Sequence, residues 1–180
     1  MSAGAVAHPS PNHGPRRGGA RPDMVVLHYT GMDSAVAALA RLCDPAAEVS
    51  AHYLVEEGGR VLALVPEDRR AWHAGRARWG DVSDVNSRSI GIELANPGRG
   101  PGAHPFPAPQ MRALEDLLAG IAARHGVAPE RVVGHACIAP ERKADPGPRF
   151  DWRRLACRGL AVWPAGAAAP GARRLRAGGG

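Results

Sequence analysis

Lysine is almost missing from this chain: of its 23 basic residues, 22 are arginines and one, Lys143, is a lysine. Aromatic residues are scarce too, at 4%, and they do not alternate with basic positions. A groove that stacks nucleic-acid bases needs aromatic faces beside its cations, so a net charge of +6 and an isoelectric point near 10.2 do not signal a nucleic-acid partner. The arginines run from Arg16 to Arg176, with local clusters such as Arg153 and Arg154 and Arg173, Arg174 and Arg176, as on a solvated surface. Cysteine is limited to Cys43, Cys137 and Cys157, an odd number without a CxxC pair; this excludes a disulfide framework and leaves thiols. No stretch approaches the roughly 20 apolar residues of a membrane span, which excludes stable membrane insertion through a helix. The start of the chain, with Pro9, Pro11 and Pro15 among polar residues, lacks the apolar segment of a secretory signal. A cytoplasmic location is therefore expected.

What remains is enough for one domain. At 180 residues and 44% hydrophobic content, the chain can bury a core. Residues 1–22, rich in Gly, Pro, Ala and Arg, stand apart as an N-terminal extension, and residues 164–180 as a low-complexity tail, so both termini are expected to be flexible and the domain to span 23–163. Within it, 24–30 and 89–95 predict strands, 34–42 a helix capped by Ser34, and 51–65 a hairpin turning at Gly58 and Gly59. Met111, Leu114, Leu117, Leu118 and Ile121 share one face of a helix over 109–126 that Gly126 ends, and 131–135 predicts a short strand. Alternating strands and helices make a single α/β domain with a mixed central sheet flanked by helices.

Polar residues gather at the ends of apolar strands: His28 closes VVLH, Glu93 nearly closes IGIEL and His135 closes VVGH. Alternation puts Gly91, Glu93 and Ala95 on one side, and ligands commonly bind beyond the carboxyl ends of α/β strands. After His135, the segment holding Pro140, Pro146 and Pro148 cannot be a regular helix. If 143–146 is extended, Lys143 and Asp145 point the same way. Two imidazoles and a carboxylate suit a catalytic Zn²⁺ with a fourth position left open, but spacing alone does not choose among eight histidines. Asp145 beside a proline also suits a turn. Cys137 is either a soft ligand or a buried inert thiol, and His52 either a hydrogen-bonded core histidine or a neighbour of the metal.

VVLHYT, SAHYLV, AWHAG, NSRSIGIEL and GHACIAPERKADPGPRFDW occur in this order between about residues 24 and 156. Together they resemble the zinc-dependent N-acetylmuramoyl-L-alanine amidases of the amidase-2 class, relatives of the peptidoglycan recognition proteins. The form APxRKxDPGPxFDW is similar to that of the cytosolic 1,6-anhydro-N-acetylmuramoyl-L-alanine amidases of cell-wall recycling. The resemblance implies Zn²⁺ on His28, His135 and Asp145, Glu93 as catalytic acid/base, Lys143 as catalytic lysine, and a muropeptide or peptidoglycan fragment as substrate. It also suggests that Trp72 and His73 line a substrate groove, the alternative being that they pack against the sheet edge; Asn86 and Arg88 are candidates to contact peptide carboxylates or carbonyls, or else belong to a solvated loop. Some amidases of the class carry a tyrosine before the position of His52; this chain has Ala51, which leaves the acid/base role to Glu93. Lys143 stands out independently of the resemblance, because a compact ammonium suits an oxyanion differently from a planar guanidinium. Two further readings compete: a noncatalytic peptidoglycan-binding module, and an envelope amidase acting on intact wall.

Overall fold

Two aliphatic runs, Met24–Tyr29 and Ser89–Leu94, lie side by side at the centre of a six-stranded sheet, where both faces are covered and such residues are favoured on each side. The computed structural model describes residues 4–100 and 102–163; the tail expected over 164–180 lies outside the described residues. The elements are β1 (Val6–Ala7), β2 (His13–Pro15), β3 (Met24–Tyr29), α1 (Ala35–Cys43), β4 (Tyr53–Val55), β5 (Val61–Ala63), β6 (Arg69–Ala71), α2 (Val85–Arg88), β7 (Ser89–Leu94), α3 (Ala108–His125), β8 (Val132–Gly134), α4 (His135–Ile138) and α5 (Trp152–Cys157). The main sheet has the order β1-β5-β4-β7-β3-β8 and is mixed: β4 and β5 run antiparallel as a hairpin, and the other neighbours run parallel.

Local signals act where they were expected. The Ser34 side chain accepts a hydrogen bond from the Ala37 amide at 3.1 Å and opens α1, meeting one of the donors a helix start leaves free. Helix α3 ends as Gly126 takes the left-handed conformation, φ 66°. Its stripe of Met111, Leu114, Leu117, Leu118 and Ile121 seals one face of the sheet against Val25, Leu27, Ile90, Ile92 and Leu94. Each such side chain stabilises the fold by about 1.5–3 kcal/mol. The polar Gln110 in the same helix is buried because its amide donates to the carbonyls of Val55 and Ala95, fixing α3 over the ends of β4 and β7.

The opposite face is covered in two separate patches. Ala38 and Leu42 of α1 pack on Leu54 and Leu62, while Ala74, Val82, Val85 and Ile138 pack on Met24, Val26 and Val133. The strand positions between these patches are His28, Gly91 and Glu93.

The boundary drawn by composition at residue 23 is not a boundary in packing. Strand β1 pairs in parallel with β5, and β2 pairs with β6 in a second, two-stranded sheet. Arg16 is buried, and its guanidinium donates to the carbonyls of Glu67, Asn86, Ser87 and Ser89. Backbone pairing and one buried cation hold this segment, and neither requires an apolar sequence. The expected strand through His135 is also shorter: β8 stops at Gly134, and His135 opens a helical turn.

Candidate metal centre

Parallel register brings the chemistry together. His28 of β3 stands beside Glu93 of β7, with Leu54 of β4 on the far side, and side chains in register share a face. On the other flank Leu27 pairs with Gly134, so His135, one residue further, emerges next to His28. The chain then returns through turns to Asp145, whose carbonyl accepts the Ala136 amide at 2.8 Å. Gly134 permits this return: a Cβ there would lie 2.7 Å from Cδ of Pro146, so any larger residue would push the Asp145 loop away from His135.

Nδ1 of His28, Nδ1 of His135 and Oδ2 of Asp145 form a nearly equilateral triangle with edges of 2.9, 2.9 and 3.0 Å. All three residues are buried. With both rings in the neutral form that a metal ligand takes, the protons do not suffice for all three edges. Nε2 of His135 lies 3.0 Å from the Ala74 carbonyl and donates to it, which leaves Nδ1 of the neutral ring as a lone pair. Burial alone would raise the Asp145 carboxyl, but its two imidazole neighbours outweigh this and hold it below its usual value, so it is ionised and only accepts. The edge between His135 and Asp145 therefore sets lone pair against lone pair. Burial lowers His28 to about 4, further helped by His135, against the pull of Asp145; it is neutral near pH 7. Two imidazoles and a carboxylate aimed at one point are a donor set that fits Zn²⁺.

Glu93 flanks this triangle. Its Oε2 is buried without a hydrogen-bond partner among the described residues, and its carboxyl is pushed well above the usual range by burial and then by the negative charge of Asp145, opposed by the positive charge of Lys143. A hollow of about 70 Å³ lined by Thr30, Met32, Ala38, Arg41, Leu42 and Val49 opens against it. Lys143 is exposed, its backbone amide donating to Ala139, and its charge acts on both Glu93 and His28.

The remaining sequence candidates separate. His73 joins the centre, with Nδ1 3.0 Å from Nε2 of His28. Trp72 is half-buried, and its backbone is held by the Ser50 hydroxyl at 2.9 Å. Asn86 is not free for substrate: it is buried, and its Oδ1 accepts the amides of His73 and Ala74 at 3.1 and 2.9 Å, bracing the AWHAG loop. Arg88 is a second correction. It precedes β7, about 16 Å of strand from Glu93, and its guanidinium is bound by Asp23 at the opposite end of the sheet. His52 is a core histidine: Nδ1 accepts the Gly91 amide at 2.9 Å and Nε2 meets the Arg69 carbonyl at 3.1 Å. Burial, followed by the charge of Arg16, lowers it to about 3. Cys137 is outside the ligand triangle, and it is exposed rather than buried as expected, since it lies on the outer side of the short helical turn α4. Sequence reasoning missed Arg16 and Ser89, which lie behind the site against His52 and His73; an arginine in a Gly-, Pro- and Arg-rich stretch carries no local signal of burial.

A mixed sheet that gathers two imidazoles and a carboxylate at the carboxyl ends of its strands defines an α/β domain with a candidate metal site. The chain belongs to the N-acetylmuramoyl-L-alanine amidase family, whose sequence profile matches residues 18–148. It is 44% identical over 153 residues to the N-acetylmuramoyl-L-alanine amidase AmiD of Escherichia coli, an alignment covering 78% of this chain and 54% of AmiD. To the 1,6-anhydro-N-acetylmuramyl-L-alanine amidase AmpD of Enterobacter cloacae it is 33% identical over 164 residues, covering 82% of this chain and 86% of AmpD. Among solved structures it is similar to E. coli AmiD in complex with anhydro-N-acetylmuramic acid-L-Ala-D-γ-Glu-L-Lys, with a TM-score of 0.76, 43% identity, and coverage of 81% of this chain and 60% of that one. The chain thus spans only about half the length of AmiD but most of AmpD.

Proposed function

We propose that this chain hydrolyses the amide bond between N-acetylmuramic acid, in its 1,6-anhydro form, and the L-alanine of a stem peptide, with Zn²⁺ held by His28, His135 and Asp145. The observation that carries this is the closed triangle of three electron-pair donors beside half-buried Glu93, whose Oε2 is buried without a partner among the described residues. When bound, Zn²⁺ supplies a Lewis acid that polarises a carbonyl and makes water more acidic. Glu93 takes a proton from the attacking water as its oxygen bonds to the lactyl amide carbon. It then delivers that proton to the alanine nitrogen as the C–N bond breaks, leaving a muramic carboxylate and a free peptide amine. The raised affinity of Glu93 for a proton suits its part as the base. Lys143 holds the oxygen that becomes negative, a role worth about 2.7–4 kcal/mol for a single donor. The anhydro-muropeptide bound to AmiD in its solved complex supports the choice of substrate, as does the name of AmpD. Trp72 lines the substrate groove in this scheme. A cytoplasmic location is part of the proposal, supported by three free cysteines, two of them exposed, which suit a reducing compartment.

The test is incubation of zinc-loaded protein with anhydro-muropeptide and, separately, with intact peptidoglycan, scoring released L-alanyl peptides by mass. Release from the anhydro-muropeptide is expected. Cleavage of intact wall alone would overturn the recycling substrate, and binding without release from either would establish the noncatalytic module instead. Glu93→Ala should keep zinc and lose turnover, whereas His135→Ala should lose both.

A further inference from the structure

We propose that His73 is a positioning residue for the metal centre, selecting the tautomer in which His28 offers Nδ1 as a ligand. The inference rests on the zinc reading above and concerns a residue with no ligand role of its own. It follows from tracing one chain of hydrogen bonds from its far end. The Ser89 hydroxyl donates to the Val85 carbonyl at 2.6 Å, so its proton is committed and its oxygen can only accept from Nε2 of His73, 3.1 Å away. Nε2 of His73 therefore carries the hydrogen, and Nδ1 is a lone pair. That lone pair lies 3.0 Å from Nε2 of His28, which must be the donor. His28 is left with an unprotonated Nδ1, the atom aimed at His135 and Asp145.

The seat of His73 is built for this. Its ring lies directly against the backbone of β7, where a Cβ at Gly91 would come within 2.4 Å of its Cγ, so only glycine admits it. Its backbone amide is fixed by Asn86 Oδ1 at 3.1 Å. The same loop supplies the Ala74 carbonyl that accepts from Nε2 of His135. Residues 73 and 74 thus set the tautomers of both histidine ligands from one short segment, one with a side chain and the other with its backbone. Partners of this kind typically change metal affinity by about 10–100-fold.

Zinc affinity, measured by competition with a chromogenic chelator, gives a readout independent of turnover. His73→Ala should bind zinc about 10–100-fold more weakly with its thermal midpoint near that of the wild type. His73→Asn, whose Oδ1 sits close to the position of Nδ1, should recover most of the loss by accepting from His28. Gly91→Ala should weaken binding by displacing the ring, and in the His73→Ala background should cost nothing further. Wild-type affinity in folded His73→Ala, or equal loss in the Ala and Asn variants, overturns the inference. Should His73→Ala fail to fold, the affinity of Gly91→Ala decides by the same criterion. A wild-type protein that binds no zinc refutes the metal reading itself, before the role of His73 arises.

Discussion

Glu93 carries an acceptor, Oε2, buried without a partner among the described residues, and it borders a hollow of about 70 Å³ whose lining includes Met32, Ala38, Leu42 and Val49. A leucine at this position would remove the orphaned group and set methyl groups toward Met32, Ala38, Leu42 and Val49. An unsatisfied buried acceptor costs about 1–3 kcal/mol, so Glu93→Leu should stabilise the metal-free protein by about that much. At the response typical of a chain this size, that is a rise in Tm of roughly 2–12 °C. The gain should depend on pH with a fixed sign. Burial, then Asp145, holds the folded carboxyl above its unfolded value, which is near ~4.3. Stability of the wild type is therefore full below that pH and falls as pH rises toward the folded value, because the unfolded chain ionises more readily. Leucine has nothing to ionise, so the difference between the two proteins should be smallest near pH 4 and widen toward neutrality. Thermal melts of chelator-treated protein from pH 4 to 8 measure it. The same variant should lose about 10²–10⁴-fold in turnover, the contribution of a positioned acid/base. A destabilised variant, a difference that does not grow with pH, or retained turnover would each refute the reasoning.

Two other substitutions probe different parts of the molecule. Lys143→Arg keeps the charge but replaces a point ammonium with a planar fork; turnover should fall by about 10²–10³-fold with zinc retained, and near-normal turnover would remove the oxyanion role. Arg16→Leu should destabilise the domain by about 3–5 kcal/mol in urea unfolding, since the carbonyls of Glu67, Asn86, Ser87 and Ser89 lose their donor at ~1–3 kcal/mol for each group that water does not reach. A change below about 1 kcal/mol, on that same scale, would show that the N-terminal segment merely rests on the domain.

Much of the fold was legible because its signals are local. Ser34 caps α1, Gly126 stops α3, and Gly58 and Gly59 turn the hairpin through short-range geometry alone. His28 and Glu93 were legible together because a polar residue near the end of an apolar strand is conspicuous, and alternation assigns its face. The substrate contacts fared differently. Asn86 and Arg88 sit in a polar stretch that looks like a binding loop, yet a backbone amide pair occupies one and Asp23 the other. Which partner a polar side chain finds is a question of distance, and residues 23 and 88 are far apart in sequence. His73 was visible only as part of AWHAG, because its contact with His28 spans 45 positions.

The sequence by itself determined the class of fold, through hydrophobic periodicity, and the identity of the chemical groups available: two histidines, an aspartate, a glutamate and one lysine among 22 arginines. Those follow from residue type and spacing, which act over a few positions. Tertiary structure decided which of eight histidines face one another, which nitrogen of each points inward, and that Gly91 and Gly134 are empty because a ring and a proline fill the space a side chain would take. These outcomes depend on strand register and on close contact between segments distant in the chain, and they exist only once the sheet has assembled.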